Sequence, residues 1–548
     1  MRKSKWSLLL TLTLVLSMVL AACSGGDDKD KAGDDGKSGG SGDVAQELNV
    51  NINTEPFSLN PGLANDTTSS AVLLQTFEGL TRINQDGEPE PAMAKEIKKS
   101  DDLTTYTFTL RDDVKWTNGD PVTAQDFEWA WKWVLDPKTD AQYAYQLFYV
   151  KNAEKAKNGD VSVDEVGVKA LDEKTLEVTL ENPTPYFEEL TAFYTYFPVN
   201  SKIAKENPDW YQDAGELYTS NGPFKMTTWE HSDKIILEKN EDYWDAGAVK
   251  LNKITMIMVN DPNTELNMYK NGELDWAGSP TGNIPLEAIP TLKKEGDLQI
   301  KPIAGTYWYK FNTEKEPFNN ANIRKAFAYS INRQAIVEQI TKGGQVPAMG
   351  AVPPTMFPEN EKGYFKDNDV ETAKELLEKG MEELGYDSVE DFPEITLSYN
   401  TSEAHAKIAQ AIQDMWKNNL GIDVSLENAE WAVYIEKLHA GDYQIGRLGW
   451  LGDFNDPINF LELYKEKGGN NDTRWTNEDY KELLNKSAKE TDAEKREELL
   501  KQAEQILMDE MPVSPIYFYT NVYVKNDKVK DVVISGLGDV QYKWAHIE

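Results

Sequence analysis

Asp453 is the residue whose type and surroundings point most directly to chemistry. It lies in residues 449–457, where Trp450, Leu451 and Phe454 surround the carboxylate with apolar groups. A carboxylate buried among such groups costs several kcal/mol unless a cation or several hydrogen-bond donors compensate it. Asp453 is therefore predicted either to bind a cationic group of a ligand or to cap its own loop.

His405 and Trp431 are two further candidates for a binding site. His405 lies in the first turn of a predicted helix, where free N–H groups and the helix dipole favour an anion. A solvated surface histidine would fit the same position. Trp431 begins another predicted helix, and the apolar residues that follow it fit a core position as well as a ligand wall.

The elements around these residues are predicted to bring them together. The pattern is β-α-β-α-β, with strands at residues 395–399, 422–426 and 443–450 and helices at 405–420 and 431–439. Helical crossovers of this length force parallel strands, and parallel sheets bind ligands beyond the carboxyl ends of their strands. We therefore expect His405, Trp431 and Asp453 to face one crevice.

The rest of the chain mixes both kinds of periodicity. Alternation of apolar and polar residues predicts strands at 48–53, 106–110, 176–180, 254–259 and 516–524. Helical periodicity predicts helices at 126–135, 323–340 and 371–384, and a long helical region at 477–511. This mixture predicts an α/β fold, and the length of 548 residues predicts about three domains.

The sequence lacks the residue patterns of common hydrolases. It contains four histidines, His231, His405, His439 and His546, and no H-E-x-x-H motif. A hydrolase needs a nucleophile with a base, a metal site or a tuned acid pair. Acidic pairs are too frequent in this composition to indicate a site. We therefore expect a binding protein rather than an enzyme, with no cofactor and no metal.

Composition restricts the partners of the protein. The chain has 57 basic and 93 acidic residues, a net charge of −36, which argues against nucleic acid or an anionic membrane surface as the ligand. Solubility alone would also explain the charge. The 15 Trp and 25 Tyr exceed what we expect in so hydrophilic a chain, and aromatic walls are typical of small-ligand clefts.

The N-terminus has the pattern of a secretion signal. Basic residues precede an uncharged stretch at residues 8–22, which is too short to span a bilayer comfortably and ends at Cys23. An uncleaved short membrane anchor is the alternative. We predict a signal peptide at residues 1–22 and a flexible tether of Gly, Ser, Asp and Lys at 23–44.

Cys23 is the only cysteine of the chain and has no disulfide partner. The sequence Leu-Ala-Ala-Cys that it ends resembles the bacterial lipobox, in which this cysteine is diacylated. Two acyl chains are enough for stable anchoring to a membrane.

Three further segments resemble the extracytoplasmic oligopeptide-binding lipoproteins of ABC peptide importers, solute-binding protein family 5, in their Gram-positive form. They are RDDVKW and the residues after it at 111–127, NIRKA and the residues after it at 322–333, and EMPVSPIY at 510–517. The resemblance covers the whole chain. It implies a two-lobed, periplasmic-binding-protein-like fold of class II (cluster C). Lobe I would comprise residues 45–78, 205–305 and 515–548, the inserted domain 79–204, and lobe II 306–514.

The resemblance also implies roles for individual residues. Asp453 would pair with the ligand ammonium, and the backbones of Gly449 and Leu451 would pair with an extended peptide as an added strand. The other implied contacts are Trp431, Trp450 and Tyr143 as pocket walls, and Arg447 and His405 for the ligand carboxylate, depending on peptide length. Where a Gram-negative relative carries a glutamate, this chain has Asn65 beside Asp66, which departs from the family pattern and weakens an ammonium contact there.

The implied function is capture of oligopeptides between two lobes, with little selectivity for side chains, and delivery to permease subunits in the membrane. The implied state is a monomer on the outer face of the cytoplasmic membrane, anchored by lipid on Cys23. A receptor of the same fold for a dipeptide, metal chelate, haem or glycan is the alternative. The carboxylate of Asp453 argues against a neutral sugar, because it requires a cationic partner.

Overall fold

The computed structural model describes residues 44–468 and 470–548. The predicted signal peptide, the lipidation site Cys23 and the predicted tether up to residue 43 lie outside this part of the chain. Within it, residues 45–548 form one compact unit. No helix in the described part is both long and apolar enough to cross a membrane.

The first sheet joins segments that are far apart in sequence. Its four strands, in spatial order, are Glu47–Asn51, Lys253–Ile257, Lys234–Lys239 and Phe224–Glu230. Glu47–Asn51 pairs in parallel with Lys253–Ile257, with Leu48 opposite Ile254. Leu48, Val50 and Ile254 are buried, as the alternating pattern predicts. The chain therefore leaves this sheet after its first strand and returns to it after residue 220.

The residues in between form a second sheet of four antiparallel strands. The strands, in spatial order, are Ala94–Lys99, Thr105–Leu110, Thr175–Thr179 and Val168–Ala170. Helix Ala124–Leu135 packs against this sheet. The helix begins with a capping box, in which the Asp126 carboxylate accepts hydrogen bonds from both the backbone and the hydroxyl of Thr123. Phe127, Trp131 and Val134 bury the apolar face of the helix.

The largest sheet carries the predicted β-α-β-α-β unit. Its main strands, in spatial order, are Trp276–Gly278, Val513–Lys525, Gln299–Phe311, Ile445–Leu451, Ile395–Asn400 and Val424–Ala429, with Val346–Pro347 paired to Val513–Lys525. Ile395–Asn400 is parallel to both of its neighbours. Helices Glu403–Leu420 and Trp431–Ala440 make the two crossovers. The unit and its parallel pairing are confirmed.

The remaining helices and two-stranded ladders complete the fold. The remaining α-helices are Thr67–Thr76, Ala153–Lys157, Phe187–Leu190, Ser201–Glu206, Pro262–Lys270, Ile289–Glu295, Ala321–Tyr329, Arg333–Ala335, Val370–Leu384, Ile458–Leu461, Glu478–Ser487 and Ala493–Glu510. Two-stranded ladders pair Thr81–Ile83 with Pro89–Pro91, Val529–Lys530 with His546–Ile547, and Val533–Ile534 with Val540–Gln541.

The prediction of one continuous helix at 323–340 is wrong. The helix Ala321–Tyr329 ends, and a new one begins at Arg333 and continues as a π-helix at Ile336–Thr341. Asn332 caps the second helix by accepting from the Ala335 N–H. The buried Arg333 guanidinium donates to the Ala328 and Pro515 carbonyls and so holds the interruption in place. The region 477–511 likewise divides into two helices.

Two long antiparallel strands, Gln299–Phe311 and Val513–Lys525, run through the middle of the molecule. Their register shifts between Pro302 and Thr306. The lobe boundaries predicted at 305/306 and 514/515 fall inside these strands, so both strands would connect the two lobes. The division into lobes and an inserted domain stays a prediction.

Candidate functional site

The strand Ile445–Leu451 has one free edge. On one side it pairs over its whole length with Gln299–Phe311. On the other side it pairs with Ile395–Asn400 at Ile445 and Gly446 alone. Beyond Gly446, no strand in the described part of the chain occupies that side. An edge of this kind offers unpaired N–H and C=O groups to an extended ligand.

The backbone groups at the free edge belong to odd-numbered residues. The Gly452 N–H donates to the Ala304 carbonyl at 2.8 Å, which places even-numbered residues toward the strand Gln299–Phe311. Backbone groups of successive residues point to opposite sides of a strand. Gly449 and Leu451 therefore present their N–H and C=O groups to the free edge, as backbone pairing with a peptide requires.

A cavity of about 220 Å³ lies at the end of this strand, and we call it the Asp453 cavity. Six of the predicted site residues line it: Asn65, Asp66, Tyr143, Trp450, Leu451 and Asp453. Asn65 and Asp66 directly precede the helix Thr67–Thr76, and Tyr143 lies in the short helix Gln142–Leu147. The other three come from the end of the strand Ile445–Leu451 and the loop after it. The fold thus joins three distant segments around one carboxylate.

The Asp453 carboxylate has neutral hydrogen-bond donors but no cation. Gln146 Nε2 donates to Oδ2 at 2.6 Å and the Tyr145 hydroxyl donates at 3.3 Å. Burial raises the pKa of Asp453 to about 7, against the opposing effect of these donors. No lysine, arginine or histidine of the described part forms an ion pair with it. Both of these donors belong to a distant helix, while Asn459, six residues after Asp453, also favours the ionised carboxylate. The role of Asp453 as a ligand contact stays a prediction.

A second group of polar residues surrounds Arg447, and we call it the Arg447 cluster: Tyr307, Asn400, His405, Arg447 and Tyr519. Arg447 Nη1 donates to Asn400 Oδ1 at 3.1 Å, and Nη2 donates to the Tyr519 hydroxyl at 2.9 Å. The guanidinium lies 4.5 Å from the centre of the Tyr307 ring. Arg447 Nε is buried and has no acceptor in the described part of the chain. A buried guanidinium without a carboxylate partner is suited to an anion.

His405 belongs to the Arg447 cluster and is not a solvated surface histidine. The Tyr307 hydroxyl lies 3.3 Å from His405 Nδ1. Burial, assisted by the charge of Arg447, lowers the pKa of His405 to about 2, so the ring is neutral. His405 can therefore contribute a hydrogen bond to a ligand carboxylate, while Arg447 contributes the charge.

His405, Trp431 and Asp453, which we expected to face one crevice, do not line the same cavity. Asp453 lines its cavity, His405 packs beside Arg447, and Trp431 is 48 % exposed and lies outside the residues that line the Asp453 cavity. The alternative that Trp431 is a core residue is wrong, because its side chain is exposed. Its role as a pocket wall stays a prediction.

Asn65 and Asp66 line the cavity but already have protein partners. Asn65 Nδ2 donates to Gln142 Oε1 at 2.7 Å. The Asp66 carboxylate accepts from the backbone and the hydroxyl of Ser69 and caps helix Thr67–Thr76. This local capping explains Asp66 without a ligand.

Sequence reasoning missed several residues of the site. Tyr145 and Gln146 are the donors to Asp453, from more than 300 positions away. Asn521 lines the cavity with a buried side-chain nitrogen that has no acceptor among the described residues, and Asp539 lines it from near the C-terminus. The segment Gln142–Leu147 could have pointed to Tyr145 and Gln146, because its residue Tyr143 was already a predicted pocket wall. Nothing local marks Asn521 or Asp539.

Three half-buried carboxylates accept hydrogen bonds between residues 142–196 and residues 453–462. Besides Asp453, Glu462 accepts from the Tyr149 hydroxyl at 3.0 Å, and Glu189 accepts from the Asn455 N–H at 2.8 Å. Burial raises the pKa of each carboxyl group to about 7. Opening this contact to water would return each pKa toward about 4.

These raised pKa values make the contact dependent on pH. Protonation favours the closed contact, whose added stability is complete below about pH 4 and lost as the pH rises through about 7. We expect the radius of gyration of the ligand-free protein, measured by small-angle X-ray scattering, to decrease between pH 8 and pH 5. Glu189→Gln combined with Glu462→Gln should reduce this change. A radius that is constant over this range would contradict the prediction.

No group of three or more histidine, cysteine or acidic side chains in the described residues converges as metal ligands. The polar groups around the free strand edge are the carboxylates of Asp66, Asp453 and Asp539, the Arg447 guanidinium, neutral amides and hydroxyls. Such a set binds charged and hydrogen-bonding groups of a ligand.

Several known proteins are similar to this chain in sequence and in structure. Over 549 aligned positions the chain is 61% identical to the oligopeptide-binding protein OppA of Bacillus subtilis (strain 168), with 100% of both chains covered. The structure of Haemophilus influenzae OppA in complex with RPPGFSPFR matches with a TM-score of 0.81 and 33% identity, over 92% of this chain and 99% of that one. Listeria monocytogenes OppA bound to peptide matches with a TM-score of 0.79 and 33% identity, over 92% and 99%.

The family assignment rests on most of the chain. Residues 88–472 match the family described as bacterial extracellular solute-binding proteins, family 5 Middle. This range includes the strand with the free edge, Asp453 and every residue of the Arg447 cluster except Tyr519. The protein belongs to the bacterial extracellular solute-binding proteins of family 5.

Proposed function

We propose that this protein is an extracytoplasmic receptor that captures oligopeptides and delivers them to the permease subunits of an ABC importer. A peptide of any sequence offers an ammonium, a carboxylate and a backbone as its constant features. The observation that carries the proposal is a matching set along one strand and the loop after it. Within the described part of the chain, Asp453 has no cationic partner, Arg447 has no anionic partner, and the backbone edge between them is unpaired. The receptor binds its ligand without catalysis.

The spacing between Arg447 and Asp453 indicates the length of the peptide that could contact both residues. Four residue steps separate Arg447 from Leu451, which corresponds to about 13 Å at ~3.3 Å per residue. Asp453 lies just beyond Leu451. A peptide of about four or five residues, running antiparallel to the strand, would place its ammonium near Asp453 and its carboxylate near Arg447. Longer peptides would bypass the Arg447 cluster.

Acetylation of the peptide tests this function. We expect an N-acetylated tetrapeptide to bind at least about tenfold more weakly than the free peptide, because acetylation removes the cation that Asp453 requires. Isothermal titration calorimetry at pH 8 measures both affinities, and a tetrapeptide methylated at its amino group, which keeps the charge, is the control. Equal binding of the free and acetylated peptides would sink the proposal.

The proposal includes a lipid anchor at Cys23 and action as a monomer at the outer face of the cytoplasmic membrane. The sequence around Cys23 supports diacylation. We expect Cys23→Ala to move the protein from the membrane fraction to the soluble fraction after cell fractionation. Retention of the variant in the membrane fraction would indicate that residues 8–22 are themselves the anchor.

A further inference from the structure

A second cavity, which we call the Glu462 cavity, adjoins the Asp453 cavity. Its volume is about 490 Å³, within the range of small-ligand sites. Trp450 lines both cavities. Tyr145, whose hydroxyl donates to Asp453, also lines the Glu462 cavity. The second cavity therefore begins beside the proposed ammonium site, and the termini and backbone of a peptide leave it unused.

The walls of the Glu462 cavity suit a long side chain with an apolar stem. Phe148, Tyr149, Tyr186 and Trp450 supply aromatic surface. Methylene groups pack well on such surface, while a charged end group needs a polar partner. A linear aliphatic chain with a charged tip matches both requirements.

The charged groups at the cavity have an excess of carboxylates. Its lining contains the carboxylates Glu154, Glu181, Glu462 and Glu466 and the cations Lys465 and Arg496. Arg496 is held by a bidentate ion pair with Asp456 at 2.7 and 2.8 Å. Glu466 is paired with Lys481. Three lining carboxylates, the exposed Glu154 and Glu181 and the half-buried Glu462, then remain against one lining ammonium group, that of Lys465, so the cavity favours a further cation.

Glu462 is the carboxylate of this group that lies deepest. The Tyr149 hydroxyl donates to both of its oxygens at 3.0 Å, and it is a neutral donor. Burial raises the pKa of Glu462 to about 7 in spite of the opposing charges of Lys465 and Arg496. The ionised group therefore lacks adequate compensation, and a ligand cation would supply it.

We propose that the Glu462 cavity receives the side chain of the first residue of the peptide and selects lysine or arginine there, with Glu462 as the partner of the cation. The inference rests on the proposed peptide-binding function. With the ammonium at Asp453, the first side chain branches from the carbon next to that ammonium and is the side chain nearest to Trp450 and Tyr145. Side chains at later positions lie further along the free strand edge.

Calorimetry with two matched peptides tests this selectivity. Lys-Ala-Ala-Ala and norleucine-Ala-Ala-Ala differ in the ammonium group at the end of the first side chain. At pH 8 we expect the lysine peptide to bind at least tenfold more tightly to the native chain. Glu462→Gln should abolish the difference between the two peptides, because it removes the charge and keeps the shape of the side chain. Any effect of this variant on closure would alter both peptides equally.

Two controls isolate position and charge. Ala-Lys-Ala-Ala should gain no more than threefold over Ala-norleucine-Ala-Ala, because its lysine points elsewhere. Glu482→Gln, an exposed residue paired with Lys486 outside the cavity, should leave the preference intact. Equal affinities of the first two peptides, a preference that survives Glu462→Gln, or an equal gain at the second position would overturn the inference alone. Binding of none of the peptides would overturn the proposed function as well.

Discussion

Asp453→Asn is expected to weaken the binding of Ala-Ala-Ala-Ala by at least about tenfold at pH 8. Hydrogen bonds between charged partners contribute roughly 1.5–3 kcal/mol, and 1.4 kcal/mol corresponds to a factor of ten. Asparagine keeps the shape of the side chain and accepts from Gln146 and Tyr145, but it presents no charge to the ammonium. Isothermal titration calorimetry measures the loss.

The stability of the ligand-free variant separates a binding role from a structural one. The native carboxylate is half-buried and has no cationic partner among the described residues. Its ionised form therefore opposes folding at pH 8, which is above its pKa of about 7. Asp453→Asn should therefore unfold at a temperature no lower than the native chain. Asp423→Asn, the same change at an exposed position, should leave affinity unaltered. Native-like affinity in Asp453→Asn would remove the ammonium role.

Arg447→Met is expected to abolish the discrimination between a tetrapeptide with a free carboxylate and the same peptide with a C-terminal amide. In the native chain we expect the free acid to bind at least about tenfold more tightly, since Arg447 Nε is a buried donor without an acceptor. Methionine preserves much of the packing against Tyr307 but carries no charge. Calorimetry of both peptides on both proteins gives the four affinities.

The comparison of acid and amide is insensitive to general damage by the mutation. Any loss of stability in Arg447→Met affects the two peptides alike, and their ratio reports on the carboxylate alone. A decapeptide, whose C-terminus lies beyond the Arg447 cluster, is the control and should show no difference between acid and amide in either protein. If Arg447→Met still favours the free tetrapeptide by tenfold, another group binds the carboxylate.

The local pattern of the sequence was a good guide to secondary structure where the elements are regular. Residues 405–420 and 371–384 are helices to within a few positions, because one apolar face repeats every 3.6 residues. The break at residues 330–332 escaped this reasoning. It depends on Arg333, whose guanidinium donates to the Pro515 carbonyl of a strand, 182 positions away in the chain.

The local sequence likewise predicted some features of the candidate site and not others. The apolar neighbours of Asp453 in residues 449–457 predicted a carboxylate that is poorly solvated, and its pKa of about 7 agrees. The position of His405 in the first turn of its helix predicted an anion site, and the structure places it beside Arg447. Trp431, in contrast, has core-like neighbours in sequence and is exposed in the fold.

The amino-acid sequence alone was sufficient to predict the parallel β-α-β-α-β unit and the requirement of the Asp453 carboxylate for a cation or hydrogen-bond donors. It was also sufficient to indicate the family that the chain resembles. These features follow from short-range spacing and from the chemistry of single residues. The donors Tyr145 and Gln146, the free edge of the strand Ile445–Leu451 and the cavity at Glu462 exist because segments hundreds of residues apart pack together. Periodicity records which side of an element is buried, and it carries no information about which distant segment buries it.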